Sequence, residues 1–153
     1  QAPCRAVAVL WPYLTQPQGR AAAILSPHAR AMTDVTGFGL AGHLDEMLRA
    51  STLAADLDLA AIPLFDGAED LAAAGVASTI MPANRAALLG RIAAPQTPRA
   101  ALLFDPQTAG GLLAAVPEAE VEPLLTALTD AGYTAARIGT LRAADQDPAL
   151  RVR

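Results

Sequence analysis

Residues 33–43 read TDVTGFGLAGH, and this stretch decides the expected fold. A short strand-like segment ends here in three polar residues, Thr33, Asp34 and Thr36. Two glycines, Gly37 and Gly39, then let the backbone turn and bring its N–H groups close to a ligand. A helix is expected to open at about residue 40, where its free N–H groups add donors and partial positive charge. The stretch therefore predicts a strand, a ligand-binding turn and a helix in direct succession.

Asp34 is the one carboxylate within this stretch. Because Mg²⁺ prefers hard oxygen ligands and often completes its shell with phosphates, an acid beside such a turn predicts a magnesium–nucleotide site. An aspartate here could equally cap the turn or the helix by bonding nearby backbone N–H groups. His43 falls in the first helical turn, where the dipole disfavours its protonated form, so packing explains it more simply than a ligand role.

A dinucleotide-binding fingerprint is a competing interpretation of the same letters. Residues 37–42 match G-x-G-x-x-G, and Asp56 and Asp58 follow at about the distance of a ribose-binding acid. The strand that feeds such a loop is normally buried on both faces and nearly all apolar. Here it ends in residues 33–36, TDVT, and burying Asp34 without a partner would be costly. The magnesium–nucleotide interpretation is therefore favoured.

Composition limits the class of protein. The 153 residues are 53% hydrophobic and 4% aromatic, enough for one domain whose core is built largely from Ala, Leu and Val. The net charge of −4 argues against nucleic acid as a partner. No apolar run approaches the ~18 residues of a membrane span, and no secretory signal opens the chain. We therefore expect a cytoplasmic protein.

Three further features of the sequence limit the class of protein and its chemistry. Cys4 is the single cysteine, which excludes an internal disulfide, suits a reducing compartment and, with no His or Lys beside it, indicates a structural role. All eleven basic residues are arginine, so chemistry that needs a lysine ammonium cannot be completed within this chain. The chain opens at Gln1 and not at Met, which favours a piece of a longer protein.

A second informative stretch, residues 102–116, reads LLFDPQTAGGLLAAV. Asp105 and Pro106 predict the start of a turn, and Gly110 and Gly111 its end. A buried strand is expected over residues 112–116. The polar residues of the turn could also be ordinary loop residues that bond their own backbone.

The remaining pattern predicts an α+β fold, a layered mixed sheet with packed helices around one hydrophobic core. A stripe of Leu40, Leu44, Met47 and Leu48 marks a helix over 40–50. Proline is expected to break a first helix at Pro12. Further helices are predicted over residues 19–25, 68–74, 84–92 and 118–131, and strands over residues 31–35, 53–61 and 135–141.

The predicted organisation is a single domain over residues 1–142. Residues 1–30 form its helical lead-in. Residues 143–153 are polar and are expected to be a frayed tail.

TDVTGFGLAGHLDEM, followed about seventy positions later by FDPQTAGGLLAAV, resembles the C-terminal half of selenophosphate synthetase (selenide, water dikinase). That family belongs to a wider group that shares a fold with aminoimidazole ribonucleotide synthetase. The resemblance covers roughly residues 31–141. It implies a reaction in which ATP, selenide and water give selenophosphate, AMP and phosphate.

The resemblance also implies a division of labour. The N-terminal half would supply the catalytic Cys or selenocysteine, an essential Lys and most magnesium-binding aspartates, leaving no catalytic residue in this chain. Asp34 falls on the family's further metal-binding aspartate. The implied ligands are Mg²⁺, ATP and selenide, and the implied partners are the missing N-terminal half and a second copy in a homodimer. The nucleotide-site neighbourhood would comprise Thr33, Thr36, Gly37, Gly39, Asp105, Gln107, Thr108, Gly110 and Gly111.

Two departures from the family pattern leave questions open. Ala109 stands where the family often has Ser, and residues 76–82 lack the Gly-Gly-Thr character common before the position of Asn84. The ligand role of that loop is therefore in doubt. The rival interpretations are the equivalent lobe of another ATP-dependent synthetase of the superfamily, acting on a purine precursor, a thiamine phosphate or a hydrogenase-maturation intermediate, and a non-catalytic module that binds a nucleotide or a partner.

Overall fold

The structure, a computed structural model, describes residues 4–144 and 148–153. Helices and strands are interleaved along the chain, without strict alternation. The helices are α1 (Cys4–Thr15), α2 (Gly19–Leu25), α3 (Gly39–Ser51), α4 (Ala68–Ala73), α5 (Met81–Ala87), α6 (Pro98–Ala101) and α7 (Val121–Asp130). The strands are β1 (Ala31–Asp34), β2 (Leu53–Leu57), β3 (Ile92–Ala93), β4 (Leu112–Ala115), β5 (Gly139–Ala143) and β6 (Leu150–Val152).

The strands of the described residues form two separate sheets. In the smaller sheet β1 and β4 pair antiparallel, with Ala31 opposite Ala115 and Asp34 opposite Leu112. The larger sheet has the order β3-β6-β2-β5, with β5 antiparallel to β2 and β6 parallel to both β2 and β3. This mixed sheet with packed helices confirms the predicted α+β class.

Two hydrophobic clusters hold these layers together, where the sequence predicted one. The larger cluster packs α3 against the four-stranded sheet and the segment around Phe104. The smaller cluster joins α2 and α7 through Ala21, Leu25, Leu124 and Leu128 against the β1–β4 pair. Each sheet has its own apolar face, so each needs its own helical cover.

Helix α3 follows from its apolar stripe. Leu40, Leu44 and Leu48 are buried at the predicted spacing, and Met47 packs beside them. The helix ends where Thr52 adopts a left-handed conformation with φ of 53°, the usual geometry of a helix C-terminus. The predicted helix over residues 40–50 is confirmed.

Several predicted element bounds are wrong. Helix α1 continues through Pro12 to Thr15. This is tolerable because Ala8, four residues earlier, is exposed, so water can bond the carbonyl that proline cannot. Helix α5 begins at Met81, three residues before the predicted start, and Pro82 occupies its first turn, a position that proline favours. Strand β5 covers 139–143 because pairing with β2 sets its register.

The expected frayed tail is the largest correction. Leu150 and Val152 belong to β6, are 1% and 8% exposed, and lie between β2 and β3. Residues 145–147 of the predicted tail and residues 1–3 of the predicted lead-in lie outside the described residues. Across the described parts of the chain, every helix falls short of the length and hydropathy that a bilayer span requires.

Candidate functional site

The two glycine-rich segments, residues 33–39 and 105–111, meet at one end of the β1–β4 sheet. Antiparallel pairing brings the end of β1 beside the start of β4, and the Val35 N–H donates to the Gly111 carbonyl at 2.9 Å. The Gln107 N–H donates to the Thr36 carbonyl at 3.0 Å. Two motifs about seventy residues apart in sequence therefore form one surface, which we call the motif junction.

Two of the four motif glycines are required by packing at this junction. A Cβ on Gly110 would lie 2.0 Å from the Val35 carbonyl oxygen. Gly39 has φ of +70°, and its Cβ would lie 2.7 Å from the Leu103 carbonyl oxygen. Gly37 and Gly111 are exposed and would meet nothing within 4 Å. Only this second pair leaves the backbone open to a ligand.

Asp34 ends β1 with an exposed side chain. Its backbone carbonyl accepts from the Thr33 hydroxyl at 3.1 Å. Within residues 4–144 and 148–153, no donor or cation contacts its carboxylate. The N-cap position of α3 is Phe38, and no side chain caps that helix end. The carboxylate thus has no capping contact and is accessible to a ligand.

Asp105 begins the second glycine-rich segment, and its backbone oxygen lies close to Gly39. Burial raises the pKa of its carboxyl above the ordinary 3.8, and a backbone hydrogen bond from Ser78 partly opposes this rise. Gln107, Thr108 and Ala109 are exposed beyond it. Ala109 adopts a left-handed backbone with φ of 54°, a conformation that costs a non-glycine residue about 1 kcal/mol.

Asn84 is a junction residue whose role the sequence left in doubt. It is 7% exposed, and its Nδ2 donates to the Gly37 carbonyl at 2.9 Å and to the Phe104 carbonyl at 3.0 Å. One amide thus ties both motifs to α5. No local pattern marks such a residue, because its partners lie 47 and 20 positions away. Gln18 was likewise missed, and its Nε2 donates to the Gly110 carbonyl at 2.8 Å.

His43 contacts the junction and makes polar contacts as well as packing contacts. Its ring is 8% exposed and lies 5.5 Å from the Phe38 ring, centroid to centroid. Nε2 is 3.2 Å from the Thr36 hydroxyl, and Nδ1 is 3.2 Å from a Glu46 carboxylate oxygen. Both ring nitrogens therefore have a polar partner, and one partner belongs to the turn after Asp34.

The donors present fit a share of a magnesium site and not a whole one. Within the described residues no group of three or more His, Cys, Asp or Glu side chains could enclose a metal ion. Asp34 offers one hard oxygen ligand, and Mg²⁺ commonly takes only one or two carboxylates when phosphates supply other ligands. A separate cleft of about 410 Å³ lies between α4, α5 and α6, with Arg85 and Gln96 in its wall, and Asp34 does not line it.

Comparison with known proteins gives the class to which this fold and junction belong. Residues 2–149 match the family described as AIR synthase related protein, C-terminal domain. The chain belongs to this family. The match spans both glycine-rich segments and every strand except β6, and it confirms the fold class that the resemblance implied.

Relatives that the chain matches include proteins named selenide, water dikinase, which confirms the resemblance. The chain is 41% identical over 117 residues to the one from Aeromonas salmonicida, covering 76% of the chain and 34% of the relative. It is 40% identical over 128 residues to the one from Bordetella bronchiseptica, covering 84% and 37%. For the one from Shewanella baltica (strain OS185), identity is 45% over 105 residues, covering 69% and 30%. The chain thus spans about a third of the length of these relatives.

Proposed function

We propose that this chain is the C-terminal lobe of an ATP-dependent selenophosphate synthetase. The whole protein would convert ATP, selenide and water to selenophosphate, AMP and phosphate. The observation that carries the proposal is the Asp34 carboxylate, exposed and without a contact among the described residues, at the junction of the two motifs. The curated relatives' shared name supports the choice of reaction.

Six of the junction residues have a proposed task. Asp34 would hold Mg²⁺ by one carboxylate oxygen, and bound Mg²⁺ neutralises charge on transferring phosphates. Gly37 and Gly111 would let the nucleotide approach the backbone, since nothing occupies the space beside them. Thr108 and Gln107 are exposed in the second glycine-rich segment. Gly39, Gly110 and Asn84 would hold the two segments together and touch no ligand.

The preceding part of the same protein is the proposed partner. It would face the motif junction and supply the nucleophile, a lysine and further aspartates, because this chain has no lysine. The whole protein would be a homodimer. We therefore expect the 153-residue chain alone neither to hydrolyse ATP nor to make selenophosphate, since positioned groups carry most of such catalysis.

Asp34→Asn in the whole protein tests the metal assignment. The change keeps the size of the side chain and removes its charge. Because Asp34 makes no capping contact, the melting temperature should stay within a degree or two of the parent, as for surface substitutions of about 0.5 kcal/mol or less. Magnesium-dependent turnover should fall by about 100-fold or more, since a bound metal contributes several kcal/mol to the transition state.

Asp66→Asn is the matched control. Asp66 is also exposed, has no contact within the described part of the chain, and lies outside both motifs. We expect its turnover and melting temperature to equal those of the parent. An Asp34→Asn protein that is destabilised but fully active would instead assign Asp34 to the fold. Steady ATP turnover by the 153-residue chain, abolished by Asp34→Asn, would show that the division between lobes is wrong.

A further inference from the structure

Thr36, His43 and Glu46 form a line of polar contacts at the motif junction, here called the array, that the proposed function does not use. His43 lies in the first turns of α3 and is 8% exposed, while the Glu46 side chain is 61% exposed. The array runs from Glu46 Oε2 to Nδ1 at 3.2 Å and from Nε2 to the Thr36 hydroxyl at 3.2 Å. It thus connects the surface of α3 to the turn that follows Asp34.

In a neutral His43 ring, the neighbouring carboxylate decides which way the hydrogen bond to Thr36 runs. An ionised carboxylate carries no proton of its own, so the Glu46 oxygen, 3.2 Å away, favours a ring proton on the Nδ1 atom of His43. In a neutral ring the Nε2 atom is then an acceptor, and the partner facing it must donate. The Thr36 hydroxyl has one proton, and this geometry commits it to His43.

We infer that His43 is a positioning residue which, held by Glu46, turns the Thr36 hydroxyl so that its oxygen faces the Asp34 side as an acceptor only. A hydroxyl whose single proton is committed offers two lone pairs. Such an oxygen can accept from a metal-bound water or bind a cation, and it cannot donate to a phosphate oxygen. The junction would thereby gain a second hard oxygen group beside the carboxylate.

The backbone places the two oxygen groups on one side. Val35 is 4% exposed, and its N–H still pairs with Gly111, so the chain stays extended through this residue. In an extended chain alternate side chains share a face. On this alternation we infer that Asp34 and Thr36 share the face opposite the buried Val35. Both backbone hydrogen bonds to the Thr36 carbonyl, from Gly39 and Gln107, hold the residue at this position.

The hydroxyl orientation can be tested without any ligand. We would record long-range ¹H–¹⁵N spectra of the histidine rings in the 153-residue chain at a pH where both are neutral. The chain has only two histidines, so His28→Gln assigns them. We expect His43 to show the Nδ1–H tautomer, and Thr36→Val to shift its Nε2 resonance. An Nε2–H tautomer, or an Nε2 resonance unmoved by Thr36→Val, would overturn the inference.

His28 is the matched control because it makes the same carboxylate contact without the hydroxyl. Its Nδ1 lies 3.2 Å from Glu120 Oε2, and both side chains are 41% exposed. Thr36→Val should leave both His28 ring resonances in place. A shift at His28 as large as that at His43 would show a global change in the fold and would count against the array.

The consequence for the cation rests on the proposed function, and the whole protein tests it. His43→Leu and Thr36→Val should each raise the Mg²⁺ concentration needed for half-maximal turnover by about tenfold, and the double variant should be no worse than either. His43→Gln, whose carbonyl oxygen can replace Nε2 as acceptor, should recover part of the loss. Additive effects, or a lower melting temperature with an unchanged Mg²⁺ requirement, would overturn this role.

The two sets of measurements fail independently. If Asp34→Asn keeps full activity while the His43 tautomer and its response to Thr36→Val are as expected, the proposed function fails and the hydroxyl assignment stands. If Asp34→Asn abolishes activity while His43 carries its proton on Nε2, the proposed function stands and the inference fails.

Discussion

Replacing Gly110 by alanine tests whether the motif junction is as closely packed as described. The new Cβ would lie 2.0 Å from the Val35 carbonyl oxygen, and ordinary contacts begin at 3.4 Å. The Gln107 Oε1 atom, at 2.6 Å, belongs to an exposed and flexible side chain that can turn away. The Val35 oxygen is backbone at the end of β1 and cannot. The difference between 3.4 Å and 2.0 Å is 1.4 Å. Small changes in backbone angles can absorb part of it, so the two segments must separate by about 1 Å.

The cost follows from that separation. Forcing an extra carbon into a packed site costs about 1–3 kcal/mol. Moving residues 35 and 110 apart also strains the hydrogen bonds from Val35 to Gly111 and from Gln107 to Thr36, each of which contributes about 0.5–1.5 kcal/mol. We expect a total loss of roughly 2–4 kcal/mol, which for a chain of this size lowers the melting temperature by about 5–15 °C.

Urea unfolding followed by circular dichroism measures this loss, and Gly111→Ala is the control. Gly111 is the next residue, its φ is not positive, and its Cβ would meet nothing within 4 Å. Alanine at this position lowers the conformational entropy of the unfolded chain. The free energy of unfolding should therefore change by less than about 1 kcal/mol in either direction. Equal losses at the two positions, or a neutral Gly110→Ala, would refute the account of the junction.

Three further predictions address other parts of the molecule. Leu150→Ala should lower the free energy of unfolding in urea by about 2–5 kcal/mol, because the Leu150 side chain is 1% exposed. The Leu141 side chain is 46% exposed, so Leu141→Ala should cost under about 1 kcal/mol. Similar losses for the two variants would contradict the position of β6. Asn84→Ala should lower stability by about 1–3 kcal/mol in a thermal melt, since it leaves two carbonyls without their donor. An unchanged melting temperature would show that Asn84 does not hold the two motifs together. Burial raises the pKa of Asp105 in the folded state, so its contribution favours folding below 3.8 and is lost as pH rises through the higher folded value. Asp105→Asn should therefore be more stable than the parent near neutral pH, with the difference closing below 3.8; a less stable variant at neutral pH would reverse that sign.

Local pattern was enough to predict the elements whose burial it encodes. The apolar stripe of α3 reports its own buried face, and both α3 and α7, where Leu124 and Leu128 are buried, lie as predicted over most of their length. The strands β1 and β4 were also placed within a residue at each end. Their pairing could not be read from periodicity, and only the resemblance placed both motifs at one site.

The errors have a common physical cause in distant contacts. Residues 150–152 read LRV in a polar context, and they form a strand only because β2 and β3 offer free edges far away in sequence. Asn84 is held in place by hydrogen bonds to two carbonyls on other segments. The hydrogen bond between Thr36 and His43 joins a turn to a helix across seven positions. The residue pattern of the sequence did not indicate this pair. The metal role of Asp34 stays a prediction.

The position of β6 in the middle of the larger sheet has a consequence for synthesis of the protein. Strand β2 ends at Leu57, and the strand that pairs with it in parallel begins at Leu150, 93 residues later. At about 5–20 residues per second, a ribosome needs roughly 5–20 s to make the intervening chain. Both edges of β2 lack a partner until β5 is made, and one edge lacks it until β6 follows; an unpaired edge invites pairing with other chains. A nascent chain of this protein should thus depend on chaperones until residues 150–152 emerge.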